Sequence, residues 1–315
     1  MEGPAFTPLC FLNRDTGLSD IRHVGFGWSD ESRAKGLTHS EWGFTMHRID
    51  ETMGQPADPP LAGDPSKIDR YAPPDPCRPE RYAQVKSFVE ANPDKYVIGS
   101  VGISGFNLMT FIRGFSNLLE DMALEPAYHR RLMDMVFGFE HEVVRNLCEC
   151  GVDGVSFADD WGTQRGVMVD PAFIRSEYMP WYKRHFDLIH EYGRQVFFHS
   201  CGDVWEIIPD FIGAGVDALN LNQPDIFGIE RLDRAFGGKV AFFCPVDHQT
   251  VAIQGTPAEI RGYAERLDRV LGGHDGGFMA MIEEYHSVGM PEENYLAIKD
   301  AFLGIRGRGR ARAGA

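Results

Sequence analysis

Gln195-Val-Phe-Phe-His199-Ser-Cys201-Gly-Asp203 is the stretch on which the reading of this chain turns. Its short apolar run reads as a buried β-strand that closes at His199. Side chains two apart on a strand point to the same face, so His199 and Cys201 converge at the strand's end. An imidazole and a thiol meeting there make half of a zinc site. A pair of small buried core residues is the alternative, and the surroundings decide between the two.

Outward from this strand the chain alternates strand and helix. Lys95–Val101 reads as a strand, Phe115–Gly151 as helices broken near Glu125-Pro126, and Asp153–Phe157 as the next strand. Pro171–Tyr192 is helical, with Asp170 as cap, Pro at the first helical position and Gly193 as the stop. After Gln195–His199 come helix Val204–Gly213, strand Asp217–Leu221, helix Ile229–Phe236 and strand Lys239–Cys244. Helix Pro257–Leu271, strand Gly276–Met281 and helix Glu292–Phe302 complete the series. Strands alternating with helices imply a parallel sheet. With no glycine-rich phosphate loop after the first strand, the rhythm predicts a (β/α)8 TIM barrel rather than a dinucleotide-binding sheet.

The organisation expected is an irregular, loop-rich N-terminal segment over residues 1–90, a barrel core over 91–304 and a disordered basic tail over 305–315. The first segment is rich in Pro and Asp, and Val24–Trp28 is its best strand candidate. Its aromatics (Phe26, Trp28, Trp42, Phe44) fit ordinary core or a stacked pocket.

Metal-capable or polar groups recur at consecutive strand ends: Asp159 and Asp160, then His199 and Cys201, then Asn220 and Asn222, then Cys244, then Glu283 and Glu284. In a barrel these ends share one face, where active sites sit.

Composition bounds the function classes. The 315 residues carry a formal net charge of −15, with 43% hydrophobic and 24% charged residues. An acidic surface disfavours nucleic acid and anionic membranes as partners. The tail Arg306-Gly-Arg-Gly-Arg-Ala-Arg312 resembles a nucleic-acid patch in miniature, but its composition fits a frayed terminus. No apolar run approaches the roughly 18 residues of a membrane span, and Met1-Glu-Gly-Pro-Ala has no signal-peptide character. Six scattered cysteines are too few for a disulfide scaffold, which points to a reducing cytoplasm. Cys148-Glu-Cys150 lies at a helix end, where residues two apart do not face each other.

From about Tyr96 to Phe302 the chain resembles the uroporphyrinogen decarboxylase superfamily, and within it the cobalamin-dependent methyltransferases. The resemblance rests on Ala158-Asp-Asp-Trp-Gly-Thr-Gln164, Phe198-His-Ser-Cys-Gly-Asp203, Ile207–Asp217, Ala218-Leu-Asn-Leu-Asn-Gln223, and the block from Gly276-Gly-Phe to Pro291-Glu-Glu-Asn294. It implies a zinc site of H-x-C plus a cysteine after the last strand, and methyl transfer between a small molecule and a corrinoid (cobalamin) on a separate protein. His199 and Cys201 match that motif. The final cysteine does not: its expected place falls near Glu283, and Cys244 is the alternative third ligand. The decarboxylase branch implies an arginine-rich clamp, where this chain reads Thr38-His-Ser-Glu-Trp-Gly43. Several carboxylates would need several fixed cations, and only Arg113, Arg165 and Lys183 stand near the expected mouth.

A ligand set of His, Cys and Glu is harder than His with two thiolates, which favours pulling on a methyl–oxygen or methyl–nitrogen bond. The expectation is therefore demethylation of a small methylated donor, such as O-demethylation of an aryl methyl ether. Tyr285 and His286 are expected beside the metal as proton donors, with His248 in the same capacity or on the substrate. Asp160 is expected either to orient His199 or to bind the metal, with Asp159 an equal candidate. Trp161 and Gln164 are expected at the mouth, with Asn220 and Asn222 on the substrate. No Asp-x-His-x-x-Gly corrinoid signature occurs in the chain. A decarboxylase, or a non-catalytic metal- or corrinoid-binding accessory protein, is the competing reading. An open coordination position facing a pocket separates an enzyme from the accessory role.

Overall fold

The computed structural model describes residues 6–27, 39–47, 54–274, 276–285 and 289–309. Eight strands make one parallel sheet: β1 Leu9–Leu12, β2 Ile21–Gly25, β3 Tyr96–Ile103, β4 Gly154–Ala158, β5 Gln195–His199, β6 Ala218–Asn220, β7 Ala241–Cys244 and β8 Phe278–Glu283. Their spatial order is β1-β8-β7-β6-β5-β4-β3-β2. β1 and β2 come back together to leave a nearly closed α/β barrel. Between the strands run α1 Ala83–Glu90, α2 Gly105–Arg113, α3 Phe115–Leu124, α4 Pro126–Glu149, α5 Met179–Glu191, α6 Ile208–Ala214, α7 Ile229–Phe236, α8 Pro257–Leu271 and α9 Glu292–Arg308.

Strand alternation sorts the core into two layers. Ile21, Ile98, Phe197, Ala218, Phe243 and Met281 fill the lumen. The residues between them, such as Val196, Phe198, Leu219, Phe242 and Cys244, join the outer layer under the helices. Burial on both faces explains why the strands read as apolar runs instead of alternating ones. The ladders put Ala158 opposite His199, and His199 opposite Asn220, so the strand ends named from the sequence do share one rim.

Several boundaries differ from expectation. β1 was not anticipated, and β2 spans Ile21–Gly25 rather than Val24–Trp28, with Trp28 outside the described residues. The helix expected over Pro171–Tyr192 holds a wide π turn at Ile174–Tyr178 before α5. Pro180 lacks the amide that would close a regular turn there. α9 continues through Arg308 into the segment expected as disordered tail. Ile305 is buried, Arg306 pairs with Asp20 at 2.8 Å and Arg308 with Glu265 at 3.1 Å, so these residues are held by packing and charge. Residues 310–315 lie outside the described range. No helix among the described residues is long and apolar enough to cross a membrane.

A candidate metal centre at the barrel mouth

The site is built on the ends of β4, β5 and β6. His199 Nδ1 lies 3.1 Å from the backbone oxygen of Asn220 on the neighbouring strand. A carbonyl only accepts, so Nδ1 carries the proton and Nε2 presents its lone pair. Cys201 Sγ stands 3.3 Å from that Nε2, and Asp160 Oδ1 stands 3.5 Å from it. Asp160 Oδ1 also accepts the Cys201 backbone N–H at 2.7 Å, which ties the loop after β4 to the loop after β5. Two glycines permit that approach. A Cβ on Gly202, whose φ is +75°, would sit 2.4 Å from the Gly162 backbone, and one on Gly162 would sit 2.6 Å from the Cys201 carbonyl.

Donor atoms of Asp160, His199 and Cys201 thus lie within 4.8 Å of one another. A tetrahedral zinc with Zn–N and Zn–O near 2.1 Å and Zn–S near 2.3 Å holds its donors about 3.4–3.6 Å apart. The 3.3 and 3.5 Å separations fit that spacing. Burial, and secondarily the adjacent Asp160, pushes the Cys201 thiol up to about 12. A bound cation would have to displace that proton, as thiolate ligation requires.

Glu283 lies on the same rim but outside this group of three. Its carboxylate accepts the Tyr285 hydroxyl and Asn13 Nδ2, the latter at 3.2 Å, and burial raises its pKa. Burial and Glu283 raise the Tyr285 phenol, so it keeps its proton. The His248 ring packs 3.9 Å from the Tyr285 ring, and burial, with a smaller push from His199, lowers His248 to about 3. It is therefore a neutral imidazole at ordinary pH.

The rim opens on a cavity of about 220 Å³ running into the lumen, lined by His199, Asn220, Asn222 and Glu283, with Phe197 and Phe243 below. No Lys or Arg among the described residues lines it. Of the cations expected near the mouth, Arg113 is buried in an ion pair with Asp121 at 2.6 Å and Lys183 pairs with Asp187 at 2.7 Å.

Other expected residues are placed elsewhere. Cys244 is fully buried with the outer layer, because strand parity turns Phe243 and not Cys244 into the lumen. Trp161 is fully buried too, stacked on Phe106 at 4.4 Å with its indole N–H on Tyr182, so it is core and not mouth. Asp159 points into the same layer, accepting the Phe106 and Asn107 amides at 2.9 and 2.8 Å at the start of α2 and the Tyr182 hydroxyl. Gln164 is exposed and bonds Gln223 at 3.1 Å. His286 lies outside the described residues. Sequence reasoning passed over Asn13 and His23; His23 also lines the cavity. The true start of β2 was the signal that would have found it.

The family model described as uroporphyrinogen decarboxylase (URO-D) matches residues 41–302. No curated protein matches the sequence. Among solved structures, a methyltransferase from Methanosarcina mazei superposes with a TM-score of 0.63 at 15% identity, covering 83% of this chain and 74% of its own. An endo-β-1,4-xylanase from Gloeophyllum trabeum gives a TM-score of 0.45 at 9% identity, covering 78% of this chain and 85% of its own.

Proposed function

The chain belongs to the uroporphyrinogen decarboxylase family, and from that premise we propose that it is a zinc-dependent methyltransferase, moving a methyl group between a small methylated molecule and a corrinoid held by a separate protein. The observation that carries this reading is the convergence of Asp160, His199 and Cys201 beside a cavity that His199 lines and that no described Lys or Arg lines. A porphyrinogen with many carboxylates would need fixed cations, so the cavity speaks against the decarboxylase chemistry of the family's name. The likeness in fold to the Methanosarcina mazei methyltransferase supports the same side.

His199, Cys201 and Asp160 would hold the zinc, with Asn220 fixing the imidazole tautomer. Bound zinc supplies Lewis acidity toward the heteroatom that carries the methyl group. Three protein ligands leave a position open, and the half-exposed cluster reaches the cavity through His199, which favours an enzyme over a closed structural site. The Tyr285 hydroxyl, held on Glu283, keeps a proton on the cavity rim for a leaving oxygen. This arrangement suits demethylation of a small aryl methyl ether. All six cysteines are free, in keeping with a cytoplasmic setting.

The test is metal analysis of the purified protein with a cob(I)alamin assay against methoxylated and methylamine compounds. About one zinc per chain is expected, with conversion to methylcobalamin that ceases on chelation. Carbon dioxide released from a porphyrinogen by metal-free protein at full rate would overturn the proposal.

A further inference from the structure

The lumen holds an imidazole that the proposed chemistry leaves unused. His23 lies within β2 and lines the cavity. Its ring stacks on Phe243, with centroids 6.0 Å apart and planes 10° from parallel. Its Nε2 is buried and bonds no atom of the described residues, and the same holds for Oδ1 of Asn222, another lining residue. Burial lowers the imidazole to about 4, so it is neutral and offers both a donor and an acceptor.

Barrel interiors are filled mainly by apolar side chains, and Ile21, Phe197 and Met281 around His23 follow that rule. A buried polar atom without a partner is costly, and natural structures keep few of them. The two here border the same empty space. The strand order also separates His23 from the metal cluster. β2 and β5 stand three places apart in the ring of eight, and His23 and His199 line the same cavity. The imidazole therefore faces the cavity across the lumen from the metal cluster. A ligand with its methylated end at the rim would send its far end toward His23.

Taking this cavity as the substrate pocket, a step that rests on the proposed function, we propose that His23 is a specificity-determining residue. It reads an uncharged hydrogen-bonding group, such as a phenolic hydroxyl, at the end of the substrate remote from the transferred methyl. The substrate class is then a small, neutral, hydroxylated aryl methyl ether. The absence of lining cations among the described residues argues against an anionic group there, and Phe197 and Phe243 provide apolar faces for a ring.

The experiment is calorimetric titration of the zinc-loaded full chain with 4-methoxyphenol, whose hydroxyl is at the far end of the ring from the methoxyl, and with methoxybenzene, which differs from it by that one hydroxyl. Wild type is expected to bind the phenol up to roughly tenfold more tightly, the scale of one net hydrogen bond. His23→Phe keeps the stack on Phe243 and should bring the ratio to about one, with zinc content unchanged. Where that ring is not accommodated, His23→Gln should retain part of the preference and His23→Leu should lose it. Equal binding by wild type, or a preference surviving in His23→Phe or His23→Leu, overturns the assignment. Cob(I)alamin methylation is read separately. A His23-dependent preference in a protein that transfers no methyl group would keep the pocket assignment and sink the transferase.

Discussion

Asp160 carries most of the weight at the scale of single residues, because it touches both partners of the cluster. It accepts from the Cys201 backbone and stands beside His199 Nε2. Asp160→Ala should weaken zinc binding by ~100-fold or more, beyond the 10–100-fold of a change outside the ligand shell. Glu283→Ala should cost less, and Cys244→Ala should leave affinity unchanged. Competition with a chelator of known affinity measures all three. Loss of zinc in Glu283→Ala alone would instead make the glutamate the third ligand. The His199–Cys201 pair was legible in the sequence, because a period of two survives the step from strand to turn. The choice between Asp159 and Asp160 was not, because adjacent residues swap faces according to where the strand ends. The same parity hid His23: a strand placed at Val24 leaves it in a loop, and a strand starting at Ile21 puts it in the lumen.

At the scale of elements, the polar contacts behind the mouth link α2, α4 and α5. Glu140 of α4 accepts the Gly105 amide at 2.6 Å and lies 3.7 Å from His185 of α5. Burial raises Glu140 from 4.5 to about 8, and lowers His185 from 6.5 to about 3, so the pair is a neutral acid facing a neutral imidazole. Between about 4.5 and 8 the folded chain keeps a proton that the unfolded chain has released, so this group's contribution to stability falls as pH rises through that window. His185 acts in the opposite sense between about 3 and 6.5, in wild type and variant alike. Glu140→Gln keeps the acceptor for Gly105 and removes the titration. Its melting temperature should therefore fall less steeply than that of wild type between pH 5 and pH 8 (roughly the span of the Glu140 shift), as thermal unfolding at several pH values would measure. An equal slope would place the titration elsewhere. Such contacts are not visible in sequence, since α4 and α5 meet only after folding. The helices themselves were, through caps such as Asp170, whose side chain accepts the Ala172 amide at 2.8 Å. β1 escaped notice because four apolar residues between loops look like any short buried run.

At the scale of the whole molecule, the barrel is a ring with a seam. The hydrogen-bonded order runs from β1 to β2 without a ladder joining those two strands. Local contacts bridge them instead: the Asp20 amide donates to the Leu9 carbonyl at 2.8 Å, the Leu9 amide to the Asp20 carboxylate at 3.1 Å, and the Phe11 amide to Ser19 Oγ at 2.8 Å. Successive residues of a strand address opposite neighbours, so alternate amides of β2 face the seam instead of the β3 ladder. These should exchange with solvent deuterium well before the amides of β5 and β6, which have ladders on both sides. Hydrogen exchange resolved by residue tests this, and uniform protection around the ring would mean that a β1–β2 ladder forms in solution. The seam strand β2 also carries His23. A ligand that engages that imidazole binds the closed barrel and not the opened one, so by mass action it should slow seam exchange in proportion to its occupancy. Methoxybenzene at equal occupancy should slow it less than 4-methoxyphenol, because only the phenol ties β2 to the contents of the lumen.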